Sequence, residues 1–165
     1  MIRKTTRREF LAEAAGLTAA AAVPAGLPAR AHAQATINLL RGTEQDMLAA
    51  IARFTGAKPV TKGRVRLEVP PLVDNGNTVA ISVAVESPMT DADHVRAVGI
   101  FSERNPEPVI LTFKLGPRAG HAKVATRVRL ADTQTLVAVA EMSDGTFWSG
   151  SAPTVVTIAS CLEDL

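Results

Sequence analysis

Two spacings of apolar residues divide the chain. Between Thr43 and Gly56, Met47, Leu48, Ile51 and Phe54 recur at helical spacing. Thr43 is placed as an N-cap, acids occupy the first turn, and Gly56 is a natural stop. The pattern predicts a short amphipathic helix that plugs an open end of the body behind it. From Gly63 the period becomes two. In Arg64–Val69 and Val79–Glu86 apolar and polar residues alternate, so each predicts a strand with one buried and one wet face. Val95–Ser102 is apolar on both faces and calls for a central position or a covering partner. Further strands are expected at 109–115, 122–130 and 136–141, then at Phe147-Trp148 and over 154–159. Turn signals separate them: Asp74-Asn75-Gly76-Asn77, Asn105-Pro106-Glu107-Pro108, Gly116-Pro117-Arg118-Ala119-Gly120 and Asp144-Gly145. Short strands with regular turns point to an all-β protein, an antiparallel β-sandwich with a short N-terminal helix. The expected divisions are 1–33, a cleaved signal; 34–62, helix and linker; 63–158, sandwich; and 159–165, a C-terminal tail.

Composition narrows the function. Tyrosine is absent and there is one tryptophan, which argues against aromatic platforms for sugars or bases. The single cysteine excludes an intramolecular disulfide and a thiolate-based zinc site. The net charge is +2, but residues 1–33 carry +3, so the remainder stands at −1. That balance gives no electrostatic case for nucleic acid or an acidic membrane.

The N-terminal segment explains the excess charge. Thr6-Arg7-Arg8-Glu9-Phe10-Leu11 has the adjacent arginines of a twin-arginine export signal. An Ala-rich, weakly apolar stretch follows from Ala14 to Ala29, interrupted by Pro24 and Pro28, and then Ala31-His32-Ala33. A membrane span needs about 20 apolar residues, and this run is shorter and kinked. The expectation is a periplasmic protein exported through Arg7 and Arg8, with Gln34 as its new N-terminus and no membrane association.

Candidate chemistry gathers on Cys161, which follows the β-branched run Val155–Ala159. A lone cysteine is commonly a small buried apolar residue. In an oxidising compartment, however, an unpaired thiol invites mixed disulfides and over-oxidation, so one kept there has a role. A thiol on a tail is open to attack by, or on, another sulfur. A thiol hydrolase would require His94 or His121, with Asp91, Asp93 or Asp132, to converge on Cys161. Arg118 in its glycine-flanked turn could meet an oxyanion, though a plain turn is the simpler reading. Arg127 and Arg129 share one strand face, read as solvated. No histidine pair has metal-binding spacing.

The blocks 87–90 (Ser-Pro-Met-Thr), 101–106 (Phe-Ser-Glu-Arg-Asn-Pro), 113–120, 126–131 and 137–146 form a recognisable set, together with the export signal and the near-terminal cysteine. They resemble the SoxY family, the sulfur carriers of periplasmic thiosulfate oxidation. The resemblance implies an immunoglobulin-like sandwich and a SoxZ-like subunit as heterodimer partner. It also implies no cofactor other than a covalent sulfur adduct on Cys161. The carrier itself is then no enzyme. A haem enzyme conjugates thiosulfate to the thiol, a hydrolase releases sulfate, and other enzymes process the sulfur left behind. The family's tail reads Gly-Gly-Cys-Gly-Gly, whereas Ala159-Ser160 and Leu162-Glu163-Asp164-Leu165 flank Cys161 here. These residues stiffen the arm and add negative charge beside the sulfur. The alternative is an immunoglobulin-like binding or assembly module that has lost carriage.

Overall fold

The computed structural model describes residues 41–158. Cys161, Arg7 and Arg8 lie outside the described residues. Those described form α1 (Glu44–Thr55), β1 (Val60–Lys62), β2 (Val65–Glu68), β3 (Leu72–Asn75), β4 (Val79–Val85), β5 (Val95–Ser102), β6 (Val109–Lys114), β7 (Lys123–Val128), β8 (Gln134–Met142) and β9 (Phe147–Ile158). Two sheets result. One has the order β2-β4-β7; the other runs β1-β9-β8-β5-β6, with β3 also paired to β9. Most pairs are antiparallel, but β1 and β3 each lie parallel to β9.

The alternation seen in the sequence sets the core. In β2 and β4 the residues Val65, Leu67, Val79, Ile81, Val83 and Val85 face inward and are buried. They meet Val98, Ile100, Leu136, Ala138, Ala140 and Met142 from β5 and β8 in a single cluster. Strand β8 is buried on both faces because its other side is also covered. Val139 packs with Phe101, Phe147, Met47 and Ala50 in a second cluster beneath α1.

That second cluster corrects the expected place of the helix. Helix α1 lies on the outer face of the larger sheet and does not plug an open end. Thr43 and Asp46 form a capping box, with the Asp46 amide donating to Thr43 Oγ1 at 3.2 Å. Gly56 closes the helix in the left-handed region, with φ 62°. Phe54 meets Phe101 and Phe147 edge-on, with ring centroids 5.6 and 6.2 Å apart. The Phe101 ring occupies the space above Gly99, where a Cβ would sit 2.7 Å from Cζ. Leu48, read from spacing as part of the buried face, is 54% exposed; Ala50 takes the buried position.

Three local features depart from the sequence reading. Residues 60–62, expected as linker, form β1. Residues 72–75 form β3 ahead of the turn at Gly76-Asn77. The two segments expected at 147–148 and 154–159 are one continuous strand, β9.

Candidate functional site

The thiol expected to carry the chemistry lies three residues beyond Ile158, the last described residue. The structure therefore describes the strand end that precedes it, the root of the C-terminal tail. Up to Thr154, β9 pairs with β8; from Val155 it pairs with β3 on its opposite edge. The change of partner is bridged by two threonine side chains and one backbone bond. Thr154 Oγ1 donates to the Pro70 carbonyl at 2.7 Å, and the Val155 amide donates to Pro71 at 3.0 Å. On the edge that β8 has left, the Val156 amide donates to Thr133 Oγ1 at 3.0 Å.

Gly76 fastens the last described residue. Its amide donates to the Ile158 carbonyl at 2.9 Å, and its own carbonyl accepts from the Leu130 amide at 2.9 Å. A Cβ at this position would stand 2.2 Å from the Leu130 oxygen and 3.2 Å from the Ile158 oxygen. Close backbone approach is therefore what requires glycine here.

Behind Leu130 lies a buried polar network. Asn105 Oδ1 accepts from the Ala131 amide at 2.9 Å, and its Nδ2 donates to the Arg129 carbonyl at 2.9 Å. Gln134 Nε2 donates to the same Asn105 oxygen at 3.1 Å, while Ser102 Oγ donates to Gln134 Oε1 at 2.5 Å. Nearby, Glu103 accepts from the Thr135 amide at 2.9 Å, continuing the ladder where β5 has ended. These contacts hold residues 129–131 in place, and through Leu130 and Gly76 they hold Ile158.

The other candidate residues are not gathered here. His94 joins its loop to residue 143: its amide donates to Ser143 Oγ at 3.1 Å, and its ring Nδ1 lies 3.0 Å from the Thr90 carbonyl. That position is next to the Val95–Met142 pair, where β9 starts. Twelve residues of β9 separate that level from Ile158, roughly 35 Å of strand. His121 precedes β7 beside Ala122, whose carbonyl accepts from Val85 at 2.9 Å, also at the end remote from Ile158. Asp93 pairs with Arg64 at 3.4 Å at that remote end. Asp132 is at the root end, paired with Arg41 at 3.1 Å. The structure does not bring a histidine and these carboxylates together around the tail root. Arg118 is exposed on a single 3-10 turn, Pro117–Ala119, again at the remote end. Arg127 and Arg129 are exposed, Arg127 opposite Ala80 on the outer face of the smaller sheet. Among the described residues no group of three or more His, Cys, Asp or Glu could hold a metal ion. Among them, too, no helix is long and apolar enough to cross a membrane.

Among the described residues two carboxylates are clearly shifted, both downward and both at the surface. Glu68 is lowered by the Ser82 hydroxyl and then by Arg66. Asp144 is lowered by the hydroxyl and amide of Thr146.

Comparison with known proteins decides the family. The model of the sulfur oxidation protein SoxY matches residues 51–161, more than half of the chain, and the matched range closes on Cys161. The chain belongs to the SoxY family. Among solved structures, the sulfur carrier protein SoxY from Chlorobium limicola f thiosulfatophilum aligns with TM-score 0.60 and 26% identity, over 70% of this chain and 100% of that one. Superoxide reductase (neelaredoxin) from Ignicoccus hospitalis aligns with TM-score 0.51 and 16% identity, over 57% and 80% respectively, and shares the fold alone. No curated protein matches the chain. Within this SoxY-family fold, Asn105 and Gly76 are the residues that sequence reasoning passed over, taking both for turn formers. Asn105 stands in the 101–106 block that carried the resemblance, which was the one available signal for it.

Proposed function

We propose that this SoxY-family chain is a periplasmic sulfur carrier that holds thiosulfate-derived intermediates covalently on Cys161, in complex with a SoxZ-like subunit. The observation that carries the reading is the placement of the root. The strand is fastened through Ile158, and the single cysteine follows three residues later, at the last residue of the family match. Export through Arg7 and Arg8 accounts for the basic N-terminal segment and for a compartment in which an idle thiol would be a liability.

The chemistry balances as follows. The Cys161 thiolate forms an S–S bond with the sulfane sulfur of thiosulfate, and two electrons pass to the haem enzyme that catalyses the step. Water then attacks the terminal sulfone under a hydrolase, releasing sulfate and leaving a persulfide on Cys161. The carrier supplies the nucleophile and its position, not the catalysis. The test is sulfur transfer with the partner enzymes present. Cys161→Ser abolishes it if the reading holds; undiminished transfer by that variant contradicts it. One observation favours a second reading, a binding module without carriage: Ala, Ser and Leu stand beside Cys161 where the family has glycine. That reading expects Cys161→Ser to be silent.

A further inference from the structure

Charge and exposure both single out the stretch from β6 to β7. From Val109 to Arg129 there are five lysines and arginines and no aspartate or glutamate, although residues 34–165 together carry −1. The remainder of that span therefore stands at −6. Lys114, Arg118, Lys123, Arg127 and Arg129 are all exposed, and none forms an ion pair among the described residues. Topology puts the two strands on one flank of the sandwich. β6 ends the larger sheet and β7 ends the smaller one, each paired on a single side. At the other flank β2 lies directly on β9. A Cβ at Gly150 would collide with the Val65 carbonyl, and the Gly63 amide donates to the Ser149 carbonyl at 3.0 Å. Val65 and Leu67 of β2 are buried there. With β2 over β9, the order of the sheets sets β7 toward the β5–β6 side. On that side the interior is only partly closed. Leu111 and Phe113 pair with the core residues Ile100 and Val98, and Val124 pairs with the core residue Val83, so all three face inward. These three, and Leu115, are nevertheless half-exposed.

Lysine on an edge strand by itself only blunts unwanted pairing. Here the cations border core-facing apolar side chains left open to water along two strands about 20 Å long. Contiguous apolar surface of that kind marks a contact site. Resting on the heterodimer reading above, we propose that the β6–β7 flank is where the SoxZ-like subunit docks, and that the subunit offers there an apolar strip bordered by carboxylates. Charge selects this occupant over a second copy. Two-fold pairing of the flank with itself would set two cationic borders against each other, and like charges across an interface repel. The apolar strip supplies the desolvated centre of the contact and the five cations supply its polar rim. The rim speeds association and selects an acidic partner, while the strip sets how long the partner stays. β9 lies three strands from β6, about 14 Å across the sheet, so this seat is separate from the strand end that precedes Cys161.

The experiment uses the full exported chain and the SoxZ-like subunit, with association followed by surface plasmon resonance and by hydrogen exchange. Lys123→Glu combined with Arg127→Glu is expected to weaken binding about tenfold or more, chiefly through a slower on-rate. Raising sodium chloride from about 0.05 to about 0.5 M is expected to weaken the wild-type pair and to affect the double variant less. Lys62→Glu, on β1 at the other flank, is expected to leave the affinity within about twofold. Hydrogen exchange needs no variant: binding is expected to slow exchange at residues 109–115 and 122–128 of the wild-type chain and to leave 60–68 unchanged. Wild-type affinity in the double variant overturns the proposal, as does protection elsewhere with none over β6 and β7; in either case the heterodimer reading stands. A wild-type chain that dimerises alone in sedimentation, with a dimer that the double variant breaks, overturns it by giving the flank to a second copy. If the two wild-type proteins do not associate, the proposal and the heterodimer reading fail together, and the intact mass of the chain still reports carriage on Cys161 separately.

Discussion

At the end of the sandwich where β9 finishes, the connections are tied from beneath. Asn105, Ser102 and Gln134 are all buried, and their side chains hold the backbone of residues 129–131, which fastens Gly76 and then Ile158. At the opposite end the connections are tied at the surface. Ser143 Oγ accepts from His94 and donates to Ala92 at 3.1 Å, Thr90 and Asp93 bond each other, and Asp144 accepts from Thr146. His94, His121 and Arg118 lie at this second end. These candidates for catalysis are thus remote from Ile158, while the buried polar side chains beneath it are neutral amides and hydroxyls suited to holding a backbone. Such a division fits a chain that positions a reactive group and leaves the chemistry to others.

The comparison breaks first on function. Cys161→Ser is expected to abolish sulfur transfer, whereas His94→Ala and His121→Ala leave it within twofold; a histidine variant as damaged as the cysteine variant would return chemistry to the remote end. On stability, Asn105→Ala leaves the Ala131 amide and Gln134 Nε2 without their buried acceptor. It is expected to cost about 2–3 kcal/mol by urea unfolding, against about 1 kcal/mol for Ser143→Ala at the exposed end. Equal losses would erase the distinction. Gly76→Ala forces a Cβ against the Leu130 oxygen and is expected to cost about 1–3 kcal/mol. Its sharper readout is faster hydrogen exchange at residues 155–158, with the strands of the smaller sheet unaffected. The smallest effect is electrostatic. The folded chain holds Asp144 below the ordinary carboxylate range, so its contribution is complete above that range and is lost as pH falls through the lowered value. Asp144→Asn is therefore expected to flatten the acid limb of the stability curve slightly.

The periodicity made the sandwich legible. Alternation in 64–69 and 79–86, and unbroken apolar runs at 95–102 and 136–141, placed strands that the structure confirms because side-chain direction follows strand period directly. The double-sided burial of Val95–Ser102 was also visible. The element covering it was not, because spacing reveals an amphipathic helix but not the surface it packs against. Leu48 shows the same limit, since it fits the helical spacing yet faces solvent. Strand β1 escaped notice because three residues are too few for a period to register, and β3 because its Asp74-Asn75 reads as the start of a turn. Cys161 stood out in the sequence as the candidate for the chemistry, and it lies outside the described residues. The fastening of Ile158 through Gly76 and Asn105 was not legible there, since it depends on contacts between turns far apart in sequence.

The central claim is that Cys161 bears sulfur, and the mass of the intact chain tests it most directly. The native protein, incubated with thiosulfate and the partner enzymes, is predicted to gain a sulfur-containing increment that reductant removes and that maps to the peptide containing Cys161. A chain whose mass stays that of the free thiol under those conditions would contradict the account.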